Sequence, residues 1–327
     1  METAVIEKDK IVIKDAPQIY LDGRVGAVVK VLGCGLCGSD IVKLREKISP
    51  EGTVLGHEIV AEIVEINSDS DFKTGDKIIT SHHIPCGKCH YCKNGNVSMC
   101  THFKSTNIRP GGFSEFVYLS EEHLLNVAHL IPENLTEIEA SFYEPLGCCV
   151  RAVKRANLPV GSKVLVVGLG SIGILMAQAL KAYGMDVIGC DLIEDRINIL
   201  KNKGIEAQNV INLPDNLEAD GVFMTSGADK ALDTALKAIR SGGTILVFSS
   251  TPLNSGYANN EIYYRELTVM GSYSPSPKDL EDSLELLRTG KVNVKGLSTK
   301  YEMKDIQKAI DDTISNKIMK AYIVINE

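Results

Sequence analysis

The sequence predicts an α/β protein in two parts, a β-rich first domain followed by a doubly wound parallel sheet. Three observations carry this. At 327 residues the chain exceeds the size at which a single core stops growing, so two domains are expected. Up to about Pro145, short β-branched runs such as "KIVIKD", "GAVVKVLG", "HEIVAEIVEI", "DKIITS" and "FSEFVYLS" are divided by Gly, Asp, Asn and Pro turn signals. From Gly161 onward, strand-like and helix-like segments alternate, the pattern of βαβ units on a parallel sheet.

Composition narrows the function classes. Hydrophobic residues make up 44% and charged residues 24%, ordinary values for a globular chain. A formal net charge of -7 leaves no fold-wide basic surface, so phosphate-backbone binding lacks its main driving force and no nucleic-acid partner is expected. The opening "METAVIEKDKIVIKDAP" alternates charged and apolar residues and has no apolar signal-peptide core. "VLVVGLG" and "IGILMAQAL" fall well short of the roughly 18 continuous apolar residues that a membrane helix needs. The expectation is a cytoplasmic protein with reduced thiols and no membrane partner. The chain shows no internal repeat and no low-complexity segment.

In the second part, "KVLVVG" reads as a fully apolar strand, "SIGILMAQALKAYG" has helical spacing, and "DVIGCD" is the next strand. "RINILKNKG" is a helix closed by glycine, and "GVFMTSG", "KALDTALKAIRSGG" and "TILVF" continue the alternation. Gly168, Gly170 and Gly173, with Ser171 and Ile172 between the last two, stand in G-x-G-x-x-G spacing where a strand ends and a helix opens. The first glycine permits a tight turn, the second lets backbone approach a pyrophosphate, and the third allows close helix–strand packing. The helix N-terminus adds free N–H groups and partial positive charge. Asp191, at the end of the second strand, can accept from a ribose 2′-hydroxyl and would repel a 2′-phosphate. That favours NAD over NADP, although Arg196, five residues on, could swing toward a phosphate. Beyond "ELTVMGSYSPSP" come two amphipathic helices, from Asp279 to Thr289 and over "KDIQKAIDDTISN", and a terminal strand "KAYIVIN"; such a tail could pack on either domain.

Four of the nine cysteines crowd into "IPCGKCHYCKNGNVSMC". Cys86, Cys89, Cys92 and Cys100 follow C-x2-C-x2-C-x7-C. The bacterial iron–sulfur pattern continues x3 to a Cys-Pro, which this chain lacks. Reduced thiols argue against disulfides. Four thiolates with no open position suit a tetrahedral structural Zn2+, which holds a lobe in shape. Iron–sulfur binding and bare thiols stand as alternatives.

Upstream lie "GLCGSDIVKL" and "GTVLGHEIVAEI", and far downstream "SFYEPLGCCVRAV". With "CGSD", "GHE", the four-cysteine loop, "GGFSEFV", "EPL", "GLGSIG", "SGGTILV" and "ELTVMGSYS" in this order, nearly the whole chain resembles the zinc-containing medium-chain dehydrogenases. The carboxylate-bearing motifs point to the sorbitol/threonine dehydrogenase branch. The resemblance implies a GroES-like β-rich catalytic domain (residues 1–146), a Rossmann domain (147–274), and a C-terminal segment (275–327) returning to the catalytic domain. The active site would lie in the cleft between the domains. By resemblance, Cys37 and His57 bind a catalytic zinc, giving two Zn2+ per chain. Glu58 and Glu144 supply carboxylates at that metal, with Glu58 favoured as the direct ligand. Asp40 looks like the residue that orients the His57 ring, and Ser39 matches the hydroxyl that first takes the alcohol proton.

Many relatives carry a relay histidine where this chain has Val42, so the outer proton route differs and Lys43, the ribose or water stands in for it. By resemblance Cys148 falls where several relatives have a small residue near the nicotinamide, with a buried small hydrophobe as its other reading. Cys34, Cys149 and Cys190 read as small buried hydrophobes. Lys320 reads as a surface lysine, with pairing to Asp40 or approach to the pyrophosphate as the other readings. His82 and His83 adjoin a zinc loop already complete without them, which leaves substrate contact as a secondary reading.

The implied activity is hydride transfer between NAD and a secondary alcohol or its ketone: a polyol, sugar or sugar phosphate, aminocyclitol, or hydroxy amino acid. The implied assembly is a homodimer or homotetramer. An NADPH-dependent carbonyl reductase of the same fold and a non-catalytic nucleotide-binding homologue are the competing readings.

Overall fold

The computed structural model describes residues 1–228, 230–249 and 258–326. They form two compact units, Met1–Glu144 together with Val294–Glu327, and Pro145–Asn293.

The first unit opens with a hairpin of β1 (Glu2–Glu7) and β2 (Lys10–Asp15). Its two turn residues, Lys8 and Asp9, have φ of 47 and 65, the left-handed pair that lets a two-residue turn match strand twist. There follow β3 (Gly26–Gly35), α1 (Gly38–Arg45), β4 (Glu58–Asn67) and β5 (Lys77–Thr80). The cysteine loop holds two short helices, α2 (His90–Lys93) and α3 (Thr101–Ser105). After it come β6 (Phe116–Ser120), α4 (Glu121–Asn126), β7 (Ala128–Leu130) and α5 (Glu137–Ala140); all of α6 (Tyr143–Ala156) but its first two residues belongs to the second unit.

The second unit holds β8 (Lys163–Val167), α7 (Ser171–Ala182), β9 (Asp186–Asp191), α8 (Glu194–Asn202), β10 (Glu206–Asn209) and β11 (Ala219–Met224). It continues with α9 (Ala231–Ala238), β12 (Ile239–Val247), α10 (Asn259–Tyr264), β13 (Thr268–Gly271) and α11 (Pro277–Arg288). The chain then rejoins the first unit through β14 (Ser298–Glu302), α12 (Ile306–Ile314) and β15 (Lys320–Val324).

In the first unit β3 is the spine. It pairs antiparallel with β4, β6 and β15, within a sheet of order β14-β15-β3-β4-β5-β7. Because it is covered on both faces, its sequence "GAVVKVLGCG" is apolar almost throughout and all but one of its residues are buried. Val29, Val31, Ile59, Ile63, Ile78, Val117 and Ile323 form the core, and α12 adds Ile306, Ala309 and Ile310.

The second unit is a six-stranded parallel sheet of order β10-β9-β8-β11-β12-β13. In chain order this reverses between β8 and β11. That reversal opens a crevice at the carboxyl ends of the strands, where ligands bind in such sheets. "KVLVV" of β8 is buried at every position but the first, as a central strand between helices must be.

The tail expected to leave the second unit at residue 275 divides instead at Val294. Helix α11 stays with the second unit for three physical reasons. Ser276 caps it, accepting the Asp279 N–H at 3.2 Å, while Asp279 accepts the Ser276 N–H at 3.0 Å. Lys154 of α6 reaches Asp279 at 2.8 Å. Leu280 packs over Gly147, where an added Cβ would meet Leu280 Cδ2 at 2.9 Å. An amphipathic helix in a sequence does not say which apolar face will receive it; these contacts do. Asp279→Ala removes the return bond of the capping box and the carboxylate beside the buried Arg151, while Lys154 keeps Asp282 at 2.6 Å, and is expected to cost about 2 kcal/mol of stability. A melting point equal to that of the wild type would mean the apolar face alone holds α11.

Candidate metal and cofactor sites

Where β3 ends, the chain turns and Cys37 caps α1. Its Sγ accepts the Ser39 N–H at 3.5 Å, and the Asp40 carboxylate accepts the Cys37 N–H at 3.2 Å. Asp40, 2% exposed, also takes the Gly56 N–H at 3.4 Å and stands 3.4 Å from His57 Nδ1. Burial alone would push the Asp40 carboxyl up, but the His57 ring, Lys43 and the Cys37 amide together hold it below the usual carboxylate range. His57 responds in the opposite sense. Burial would lower it, yet Asp40 and Cys37 raise it well above the ordinary imidazole value, so the field at this point favours positive charge.

Glu58 follows directly, at the start of β4 and opposite Gly35 of β3. Gly35 makes room for it, since a Cβ there would sit 2.0 Å from Glu58 Oε2 and force the carboxylate to move. Glu58 is 1% exposed, and neither of its carboxylate oxygens makes a well-formed hydrogen bond. The ligand atoms of Cys37, His57 and Glu58 all lie within 4.8 Å of one another. A thiol, an imidazole and a buried carboxylate whose ligand atoms converge fit a divalent zinc ion. Three protein donors leave a fourth position open, the arrangement of a reacting rather than a closed site.

Lys320 differs from its sequence reading as a surface lysine. It is 4% exposed, and its Nζ lies 2.5 Å from Glu58 Oε2 and donates to the Leu36 carbonyl at 3.1 Å. Burial would lower the ammonium; Glu58 and Cys37 more than offset that and raise it. The cause is register. β15 lies against β3 with Tyr322 opposite Gly35, which carries Lys320 to the same end of the sheet. No local signal in "IMKAYIVIN" could have shown this.

Glu144 is buried in the first turn of α6 but is not among the three donors that converge. Ser39 is exposed at the start of α1, and Val42, also exposed, offers no proton-carrying group.

Cys86, Cys89, Cys92 and Cys100 form the second donor cluster, again with all four sulfurs within 4.8 Å. Cys89 and Cys92 approach to 3.6 Å. Tetrahedral zinc with Zn–S near about 2.3 Å needs sulfurs about 3.8 Å apart, so this loop fits that ion. Cys100 is buried, which disfavours its thiolate. The N–H groups of Cys86 and Phe103 outweigh burial and bring the thiol down to about 6.

In the second unit, Gly168 has φ of 95 and turns the chain into α7. Gly173 packs so tightly that a Cβ would lie 1.9 Å from the Gly168 carbonyl, whereas a Cβ at Gly170 would meet nothing within 4 Å. Open space beside Gly170, next to the unpaired first-turn N–H groups of α7 at Ser171 and Ile172, fits a phosphate. Asp191 is 7% exposed; its Oδ2 accepts the Leu169 N–H at 2.6 Å, and its Oδ1 accepts those of Leu192 and Ile193 at 2.7 and 2.9 Å. Arg196 stands 3.6 Å from the same carboxylate. The sequence reading missed Thr225, at the end of β11, whose hydroxyl donates to the Gly168 carbonyl at 2.6 Å and closes the turn. Of the four remaining cysteines, Cys34, Cys149 and Cys190 are buried and Cys148 is half-buried.

Comparison with known proteins agrees with this architecture. Residues 23–129 match the alcohol dehydrogenase GroES-like domain, and residues 171–289 match the zinc-binding dehydrogenase family. Sorbitol dehydrogenase from Halalkalibacterium halodurans is 32% identical over 322 residues, covering 92% of both chains. D-arabitol-phosphate dehydrogenase from Enterococcus avium is 29% identical, covering 91% of this chain and 90% of its own. The crystal structure of L-idonate 5-dehydrogenase from Escherichia coli superposes with a TM-score of 0.85 at 21% identity, covering 99% and 98%. The fold and the paired donor clusters define a zinc-binding alcohol dehydrogenase. The chain belongs to the zinc-containing medium-chain dehydrogenases, in the sorbitol-dehydrogenase-like branch. Among its described residues no helix is long and apolar enough to cross a membrane.

Because Gly35 makes room for Glu58, Gly35→Ala is expected to displace that carboxylate and weaken metal binding at the Cys37 cluster by about 10-fold or more. Metal analysis after dialysis against a mild chelator should find the cysteine loop still loaded. Wild-type retention at both clusters would show that Glu58 is not a donor.

Proposed function

We infer that this enzyme oxidises a secondary hydroxyl of an acyclic polyol or polyol phosphate with NAD, and reduces the corresponding ketone. The observation that carries the reading is the convergence of Cys37, His57 and Glu58, a donor set with a carboxylate in it. Relatives named for sorbitol and for D-arabitol phosphate support the substrate class. Zinc held by these three residues supplies a Lewis acid that polarises the substrate oxygen and makes its proton acidic near neutral pH. NAD held at Gly168, Gly170, Ser171, Ile172, Gly173 and Asp191 supplies the hydride acceptor.

The protein's own part is positioning and charge. Asp40 faces Nδ1 of His57, fixing the ring and leaving its other nitrogen for the metal. Lys320 neutralises Oε2 of Glu58. Glu144 acts through water rather than as a direct ligand. The exposed hydroxyl of Ser39 would take the proton of a bound alcohol, and since Val42 cannot pass it on, solvent water would carry it away. The four-cysteine loop holds a structural zinc. Asp191, its backbone bonds already made on both oxygens, keeps lone pairs for the ribose hydroxyls and repels a 2′-phosphate. Arg196 beside it favours a second reading, NADPH-dependent carbonyl reduction. Free cysteines throughout the described residues fit a cytoplasmic enzyme, and a homodimer or homotetramer is the proposed assembly.

NADH formation with a panel of polyols and polyol phosphates, before and after chelation, tests the assignment. Turnover that survives loss of the Cys37-site metal would reject the mechanism, and a clear preference for NADP would reject the role given to Asp191. Elemental analysis should find two zinc ions per chain, falling to one in Cys37→Ala. Lys320→Met should leave Glu58 without its counter-charge and lower kcat/KM by about 10-fold or more.

A further inference from the structure

From the His57 ring of the Cys37–His57–Glu58 cluster, further rings pack in series. The His57 and His82 centroids are 4.6 Å apart, those of His82 and His83 3.9 Å, and those of His83 and Phe103 4.8 Å, with tilts of 46°, 43° and 44°. Phe103, 2% exposed, belongs to α3, the helix that begins immediately after Cys100. Its N–H is directed at the Cys100 sulfur while its ring packs on His83. One continuous path of packed side chains therefore runs from the four-cysteine lobe to a donor of the other cluster.

The loop that carries the two histidines is pinned on both sides of them. The Ser81 N–H donates to Val127 at 3.4 Å. His123 Nε2 donates to the His82 carbonyl at 3.2 Å and is itself oriented by the Ser120 hydroxyl at its Nδ1, 2.8 Å away. The Ile84 N–H donates to Thr106 Oγ1 at 3.0 Å, and His83 Nδ1 donates to the Thr106 carbonyl at 2.5 Å. Thr106 directly follows α3, so both of these last bonds tie the histidine loop to the lobe. Rings in contact are worth only about 0.5–1.5 kcal/mol per pair, too little to hold a fold together but enough to choose one orientation of a neighbouring ring.

We propose that the four-cysteine lobe is a positioning element for the reacting site, setting the plane of the His57 ring through Phe103, His83 and His82. This rests on the reading above that Cys37, His57 and Glu58 hold a metal. It also gives "SHHIPCGKC" a role for the two histidines that the completed cysteine site leaves over. Asp40 holds one nitrogen of His57; the stack supplies the wall that stops the ring from tilting about that contact.

The test uses the full-length enzyme with cobalt(II) exchanged into the Cys37 cluster and zinc retained in the lobe. Two readouts are followed, the visible cobalt spectrum and the rate at which a chelator removes cobalt. Phe103→Leu and His83→Ala are expected to shift the ligand-field bands and to speed cobalt release about 10-fold, with one zinc per chain still in the lobe. His83→Phe keeps the ring and should restore the wild-type spectrum. If Phe103→Leu empties the lobe, His83→Ala decides the matter alone, because it lies outside α3. Wild-type spectra and release rates in a loaded His83→Ala protein would overturn the proposal. So would a His83→Phe protein as impaired as His83→Ala, since the hydrogen bond to Thr106 would then be the agent. A wild-type chain that binds metal only in the lobe would instead overturn the reading on which the proposal stands.

Discussion

A carboxylate buried to 1% exposure must meet positive charge, and the first unit is arranged around meeting it at Glu58. Lys320 comes to one of its oxygens from the last strand, and the carboxylate lies within 4.8 Å of the ligand atoms of Cys37 and His57. Each of these groups would be costly inside a protein by itself. Together they form an alternating set: Asp40 beside His57, Lys320 beside Glu58, and a thiol and a carboxylate left to share a cation. The strand register of β3 with β4 and β15 is what makes the set possible, and Gly35 is the point where side-chain bulk would break it.

The two donor clusters differ in kind, and the difference follows from how each is built. The cysteine cluster is local: four sulfurs from one loop, none left for a substrate, an arrangement that confers shape. The other is assembled from a helix cap, the residue before a strand and the first residue of that strand. Such a site can leave a coordination position open because its geometry is imposed by the sheet rather than by the metal. The ring stack suggests a division of labour in which the closed lobe stiffens the open site.

In the second unit, one residue serves both fold and ligand. Asp191 accepts three backbone N–H groups, fixing the glycine turn against the end of β9. The carboxylate that would read the ribose is thus rigid before any cofactor arrives, and preorganisation of this sort lowers the ordering cost of binding. Thr225 contributes likewise from β11, across the point where the strand order reverses.

The sequence by itself determined whatever depends on neighbours along the chain. The alternation after Gly161, the glycine spacing before α7, the acid ending β9 and the four-cysteine loop all express local geometry, and local geometry is written in spacing. Cys37, His57 and Glu58 were legible only through resemblance, because three short motifs do not show that they meet. Tertiary structure alone decided that Lys320 is buried against Glu58, that α11 remains with the second unit, and that the rings of His82 and His83 pack in series from His57. Each of these depends on which strand or helix face is brought alongside another, and pairing between distant segments is chosen by the packing of the whole core.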